Sequence, residues 1–284
     1  MNSERELAPA GSLLIPDRFP GVPNRWVQPL ARTIGGALGL QALERLLANA
    51  ADCGGVSEWA RALLYALNIR MNLRGEPLRQ GIAPSGPLVV VSNHPFGILE
   101  PLLMMALLQP LYPDLRYIGQ QLWQRMANVA PLLFPLNPTT GYRFQDLNSH
   151  SLRCAIRWVR NGHALALFPA PRVATWSWAH RGVVDPPWSN LLGVLVARAH
   201  ADVIPMHFAG RNSLLFQASA VLLDPLHHAL LIREFLNKKN QTIEITVGRR
   251  MPWKGLGGGT DVQAMTERVR AILEDLGRQA QSGE

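Results

Sequence analysis

Apolar and polar positions follow two different periods along most of this chain. Short, nearly continuous apolar runs predict buried strands at 88–92, 115–119, 164–168, 202–208 and 242–247. Longer stretches with apolar residues at helical spacing predict helices at 97–109, near 120–130, at 147–161, 188–200, near 225–237 and at 261–278. This alternation predicts an α/β fold: a single domain with a central mixed, largely parallel sheet flanked by helices.

The region before residue 87 follows a different pattern. Residues 1–25 are rich in Pro, Gly and charge, which predicts a flexible N-terminal arm. Residues 26–75 predict two or three helices, with a break around Cys53, Gly54 and Gly55. The first of them is either an amphipathic helix in a membrane interface or a helix packed on the domain at 76–284. No segment reaches about 18 uninterrupted apolar residues, so no membrane-spanning helix is predicted.

The composition narrows the class of partner. Of the 284 residues, 48% are hydrophobic and 17% charged, and the formal net charge is +8. Such a chain is attracted to nucleic acid, to phospholipid headgroups or to acidic carrier proteins. The basic residues are scattered and match no nucleic-acid-binding motif, so no nucleic-acid partner is expected. The two cysteines lie far apart, which predicts neither a disulfide framework nor a metal site and fits a reducing cytosolic location.

The most informative motif follows the first predicted strand of the domain. The apolar run 88–92 ends in Asn93-His94-Pro95, and Glu100 follows six positions after the histidine. Pro95 is typical of a helix start, so we expect His94 at a strand exit and Glu100 on an early helical turn beside it. A carboxylate that orients an imidazole is the arrangement of a Ser-His-Asp triad without its serine, and a substrate hydroxyl can replace that serine. The alternative is that Asn93 and His94 merely cap a helix.

Two further strand exits carry polar side chains. The run 164–168 is followed by a Pro-rich loop with Arg172, a residue type suited to bind phosphate or carboxylate. The run 202–208 is followed by Ala209 to Ser213. Each exit alone is also typical of a Pro-bounded turn. Trp176 and Trp178 come soon after Arg172, and they could line an acyl groove, touch a membrane interface or simply pack.

Taken in order, the three exits resemble the lysophospholipid acyltransferase superfamily, which includes 1-acylglycerol-3-phosphate O-acyltransferases. The closest likeness is to its hemolysin-like branch, which includes ornithine-lipid O-acyltransferases. That branch has the motifs Asn-His-Pro-x-Gly-x-x-Asp/Glu, Phe-Pro-Ala-Gly-x-Val and Pro-x-x-Phe-x-Gly-x-Asn-Ser. The matching residues are Asn93, His94, Pro95, Gly97 and Glu100; Phe168, Pro169, Ala170 and Val173; and Pro205, Phe208, Gly210, Asn212 and Ser213.

The resemblance implies a glycerol-3-phosphate acyltransferase-like fold and assigns roles to residues. His94 would be the general base and Glu100 its orienting carboxylate. The residues implied to bind substrate are Asn93, Gly97, Arg172, Arg211 and Asn212. The chain departs from the family in placing its acid one position later than the wider superfamily does, and in having Pro171 where the branch has glycine.

These observations predict an O-acyltransferase of membrane lipid synthesis. It would move a fatty acyl chain from acyl carrier protein or acyl-CoA to the hydroxyl of a lysolipid, without metal or cofactor. We expect it on the cytoplasmic face of the inner membrane, peripheral and attracted to an anionic lipid surface. Two alternatives remain: a noncatalytic lipid-binding protein that keeps the fold, and a hydrolase that uses water instead of the acceptor alcohol.

Overall fold

The computed structural model describes residues 39–76, 86–137, 142–219, 224–257 and 261–282. The expected arm at 1–25 and the start of the helical region at 26–75 lie outside these residues. The strands, in chain order from β1 to β9, are Arg70–Gly75, Leu88–Ser92, Arg116–Gln120, Leu133–Leu136, Ala164–Leu167, Thr175–Ser177, Gly182–Val184, Asp202–Phe208 and Thr242–Val247. The α-helices, from α1 to α8, are Leu40–Asn49, Val56–Ala66, Leu99–Leu108, Tyr142–Arg160, Leu191–Ala199, Leu214–Ser219, Asp224–Leu236 and Val262–Ser282.

Seven strands form one mixed sheet in the order β1-β9-β8-β2-β5-β3-β4. The five strands from β8 to β4 run parallel, whereas β9 pairs antiparallel with β8 and parallel with β1. The fold prediction of a mixed, largely parallel sheet flanked by helices is therefore confirmed. Because β2, β5 and β8 are parallel neighbours, the three predicted strand exits lie at the same edge of the sheet.

The central strand β2 explains why its sequence is a continuous apolar run. Leu88 and Val90 point into one hydrophobic core, and Val89 and Val91 point into the other, on the opposite face of the sheet. All four are at most 2% exposed. A strand that is covered by helices on both faces has no polar side, so its sequence does not alternate.

The two N-terminal helices pack over the first of these cores. Helix α2 contacts α3, and the Arg61 guanidinium on α2 donates hydrogen bonds of 3.2 and 3.0 Å to the Ala106 carbonyl on α3. Trp59 and Leu63 on the same helix are buried. Helix α2 thus lies against α3, the helix that follows the exit of β2.

Several predicted elements differ from the structure. The helix predicted near 120–130 is wrong: 3-10 turns occupy Gln121–Arg125 and Ala130–Leu132, and the unpredicted edge strand β4 follows. The region 26–75 contains strand β1 as well as helices, and the helix predicted to open at Pro95 starts at Leu99. The hairpin β6–β7 and the short helix α6 were not predicted.

Within the described ranges, no helix combines the length and the apolar character that crossing a lipid bilayer would require.

Candidate active site

His94 stands at the C-terminal end of β2, and two tethers fix its position. The Asn93 side chain accepts a hydrogen bond from the Phe208 N–H and donates one to the Phe208 carbonyl, both at 2.8 Å. These bonds join the end of β2 to the end of β8. The His94 carbonyl also accepts a hydrogen bond of 2.8 Å from the Ala174 N–H. The histidine backbone is therefore held by the end of β8 on one side and by the loop after β5 on the other.

Glu100 folds back toward His94 from the first turn of α3. Its side chain is fully buried, and Oε1 accepts a 2.5 Å hydrogen bond from the Phe96 N–H. The same oxygen lies 3.5 Å from Nδ1 of His94. Gly97 makes the turn between them with φ at +96°, in the region that favours glycine. The predicted His–carboxylate proximity is present, at a separation slightly longer than a hydrogen bond.

The site controls the protonation of His94. Burial by itself lowers the pKa of the imidazole, but the Glu100 carboxylate and, more weakly, Asp185 outweigh it, and the pKa is raised above its ordinary value. Because Nδ1 faces Glu100, the remaining nitrogen, Nε2, is the one left for a substrate. An imidazole with a raised pKa and one free nitrogen is suited to take a proton from a hydroxyl.

Asp185 is a site residue that the sequence did not point to. It follows β7, and its Oδ1 accepts a 3.1 Å hydrogen bond from the His94 backbone N–H, while Oδ2 accepts one of 3.1 Å from Trp188 Nε1. Burial raises the pKa of this carboxyl, and its hydrogen bonds to His94 and Trp188 oppose the rise. A lone acidic residue in the apolar segment 183–188 was the one available signal.

An apolar cavity of about 330 Å³ adjoins His94. Its walls come from the N-terminal helices, from α3 and α7, and from the segment between β3 and β4. The lining includes Leu43, Leu47, Trp59, Leu63, Leu102, Met105, Tyr117, Trp123, Met126, Leu133, Leu231 and Phe235. Volume and lining are typical of a site for a small, largely hydrophobic ligand.

The loop after β5 also lines this cavity. The Phe168 ring lies against the His94 ring, with centroids 4.8 Å apart and the planes tilted by 36°, and Pro171, Arg172 and Val173 also line the cavity. The Arg172 side chain is exposed. The structure therefore brings Arg172 and His94 to one cavity, as the parallel strand exits predicted.

The other residues expected to bind substrate occupy different positions. Gly97 lines the cavity, and a Cβ there would lie 2.8 Å from Leu231. Asn212 is buried and donates a 3.2 Å hydrogen bond to the Phe96 carbonyl. Arg211 is exposed, and its carbonyl accepts a 2.8 Å hydrogen bond from the buried Lys238 ammonium. Arg211, Asn212 and Asn93 are not among the residues that line the cavity.

No cluster of three or more His, Cys, Asp or Glu side chains within the described part of the chain has a geometry suited to a metal ion. Both cysteines are free thiols.

Comparison with known proteins identifies two similar lipid enzymes. The lyso-glycine lipid O-acyltransferase of Phocaeicola vulgatus is 25% identical over 208 residues, which cover 69% of this chain and 70% of that protein. The enzyme of the same name from Bacteroides thetaiotaomicron is 24% identical over 227 residues, which cover 77% and 79%. No known family profile matches the chain.

Among solved structures, the 1-acyl-sn-glycerophosphate acyltransferase of Thermotoga maritima aligns with a TM-score of 0.46 and 12% identity. The alignment covers 90% of this chain and 98% of that one.

Proposed function

We infer that this chain, a lipid O-acyltransferase of the lysophospholipid acyltransferase superfamily, moves a fatty acyl group from a thioester to the hydroxyl of a lysolipid. The observation that carries the proposal is the placement of the His94–Glu100 pair at an apolar cavity. The donor would be acyl carrier protein or acyl-CoA, and the acceptor a lysophospholipid or a lyso-aminolipid.

The proposed reaction needs only groups of this chain and its two substrates. Nε2 of His94 takes the proton from the acceptor hydroxyl as its oxygen attacks the thioester carbonyl carbon. Glu100 stabilises the imidazolium that forms, and backbone N–H groups stabilise the oxyanion. The carbon–sulfur bond then breaks, and the imidazolium returns its proton to the departing thiolate. The products are an ester and a free thiol, and the histidine is neutral again.

The cavity supports a role in holding an acyl chain. Every methylene that moves from water into an apolar site contributes about 0.8 kcal/mol, so an apolar cavity favours a long chain over a short one. Leu102 and Met105 line this cavity, and they lie on α3, the helix that also carries Glu100. A chain bound there would have its carboxyl end beside His94.

Arg172 is the proposed anchor of the acceptor. Its guanidinium suits a phosphate or a carboxylate, and it lies at the cavity that His94 lines. The two relatives are named for a lyso-glycine lipid, whose glycine headgroup would offer a carboxylate if it is linked through nitrogen. We therefore place a lyso-aminolipid with a free carboxylate first among the acceptors, ahead of lysophosphatidate.

The proposed location is the cytoplasmic surface of the inner membrane. The net charge of +8 favours contact with anionic lipid, and it would also attract an acidic carrier protein.

Acyl transfer with purified protein tests the proposal. Labelled acyl carrier protein or acyl-CoA is incubated with a panel that contains lyso-glycine lipid, lyso-ornithine lipid and lysophosphatidate. We expect a new ester that requires both donor and acceptor, and a loss of at least about 100-fold in His94→Ala. The matched control is His150→Ala, since His150 is an exposed histidine on α4, outside the cavity lining.

Two results would contradict the proposal. Release of free fatty acid at the same rate without an acceptor would identify a hydrolase. Lipid binding without turnover of any donor and acceptor pair would identify a noncatalytic lipid-binding protein.

A further inference from the structure

Among the described residues, most of the exposed large apolar side chains lie on two neighbouring elements. The described residues include six strongly exposed large hydrophobic side chains, and four of them lie on the hairpin β6–β7 and on α6. Trp178 is 86% exposed and Trp176 40%, and their rings meet edge to face with centroids 6.0 Å apart. Leu214 is 79% exposed and Leu215 49%. We call Trp176, Trp178, Leu214 and Leu215 the Trp–Leu surface.

The two elements that carry this surface are directly joined. The Trp176 backbone N–H donates a 2.9 Å hydrogen bond to Oε1 of Gln217, which is on α6. Leu214 and Leu215 are in the first turn of that helix, within three residues of Gln217. The four exposed side chains therefore lie on two elements that are joined to each other.

The hairpin that carries the two tryptophans follows the cavity lining directly along the chain. Strand β6 begins two residues after Val173, which lines the cavity together with Arg172. Between them, the Ala174 N–H bonds to the His94 carbonyl. Trp178 itself does not line the cavity, so the role of these tryptophans as an acyl groove is not supported by their positions. A lipid bound by the Trp–Leu surface would be next to the entry of the site.

The charged side chains on the two segments that carry this surface are positive, and the nearby Glu274 on α8 is paired with Arg270 at 2.8 Å. The segments 168–184 and 209–219 contain Arg172, Arg181 and Arg211 and no aspartate or glutamate. All three arginine side chains are exposed. Tryptophan and arginine together are typical of residues that sit at the headgroup level of a bilayer, with apolar side chains below them. An acidic carrier protein could pair with the arginines, but it would not bury four exposed apolar side chains as a bilayer does.

We propose that the Trp–Leu surface is a membrane-docking site that inserts into the headgroup region of an anionic bilayer. It would hold the cavity mouth against the lipid from which the lysolipid acceptor enters. The proposal rests on the proposed function for the identity of that acceptor, but binding of lipid can be measured without catalysis.

Vesicle binding of the full chain tests the proposal. Partition into phosphatidylcholine vesicles containing phosphatidylglycerol is compared for wild type, the double variant Trp178→Ser/Leu214→Ser, and the control Tyr65→Ser. Tyr65 is an equally exposed aromatic residue, 87%, on α2. We expect the double variant to partition at least about tenfold more weakly, because partition scales with the apolar area inserted. Tyr65→Ser should stay within about twofold of wild type.

Two further measurements make the result specific. Arg181→Glu should weaken binding to vesicles with phosphatidylglycerol much more than binding to pure phosphatidylcholine, and added salt should reduce that difference. With substrates dispersed in detergent, the double variant should keep wild-type turnover, whereas turnover on vesicles should fall together with partition. The substituted side chains are exposed, so the fold is expected to persist, and a circular dichroism spectrum checks this.

Unchanged partition of the double variant would overturn the proposal, as would an equal loss in Tyr65→Ser. Retained vesicle binding with lost binding of acyl carrier protein would identify a carrier-docking surface and also overturn it. If the surface binds vesicles as expected but wild type transfers no acyl group, the proposed function fails and this inference stands.

Discussion

The contribution of Glu100 can be estimated from its distance to His94. Two opposite charges 3.5 Å apart attract by about 5 kcal/mol at the effective dielectric constant of about 20 that suits protein sites. Since about 1.4 kcal/mol is a factor of ten in rate, removing the charge in Glu100→Gln should lower kcat/KM by about 10³-fold. The amide can also donate to Nδ1 of His94, which would leave Nε2 protonated and unable to act as a base.

A second buried glutamate provides the matched control. Glu234 on α7 is 1% exposed, and it accepts hydrogen bonds from the Ser213 N–H at 2.8 Å and from the Ser213 hydroxyl at 2.6 Å. Glu234→Gln changes a buried carboxylate in the same way without touching the imidazole. We expect it to lower the free energy of unfolding but to leave kcat/KM within about tenfold of wild type.

The assay is single-turnover transfer from a labelled thioester, with the free energy of unfolding of both variants measured by urea denaturation. The comparison is valid while both variants are folded at the assay temperature. The reasoning would be refuted if folded Glu100→Gln kept kcat/KM within tenfold of wild type. It would be refuted equally if Glu234→Gln lost as much activity.

Three further predictions follow from the site and its cavity. Because a neutral imidazole is the base, activity should fall as pH drops through the raised pKa of His94. Asp185→Asn should shift this fall in the pH–activity profile to lower pH, while its side chain still accepts the hydrogen bond from the His94 N–H. A pH–activity profile that does not shift would contradict the role of Asp185. Met105→Trp places a larger side chain in the cavity lining. The ratio of kcat/KM for a long acyl donor to that for a short one should then fall about fourfold for each methylene that no longer fits in the cavity. An unchanged ratio would show that the acyl chain binds outside this cavity. Asn93→Ala removes two hydrogen bonds to Phe208 and should lower the free energy of unfolding by about 2–5 kcal/mol in urea denaturation, whereas a loss under about 1 kcal/mol would show that this tie is dispensable.

The sequence predicted the central strands well because their burial on both faces leaves a local signal. Residues 88–91 are all apolar, and the structure gives the strand Leu88–Ser92, with the bounds that were predicted. The edge strands carry no such signal. Strand β1 is mostly exposed and forms by pairing with β9, which is distant in sequence. Strand β4 contains Pro135, which is tolerated at a sheet edge but argues against a strand in the sequence.

In the candidate site, too, the sequence predicted the local contact but missed one between distant segments. The proximity of His94 and Glu100 depends on one turn, so the spacing of the two residues along the chain was enough to predict it. The common cavity of Arg172 and His94 followed from parallel strand exits. The contact of Asp185 with His94 could not be predicted, because it spans 91 residues and depends on the unpredicted hairpin that precedes Asp185.

The most direct test of the account is a balance of acyl groups in one reaction. The number of acyl groups lost from the thioester is measured against the number recovered as ester on a lysolipid, for wild type and for His94→Ala. The account predicts a ratio close to one with wild type and almost no loss of thioester with His94→Ala. Thioester loss that yields mainly free fatty acid, or ester formation that persists without His94, would contradict it.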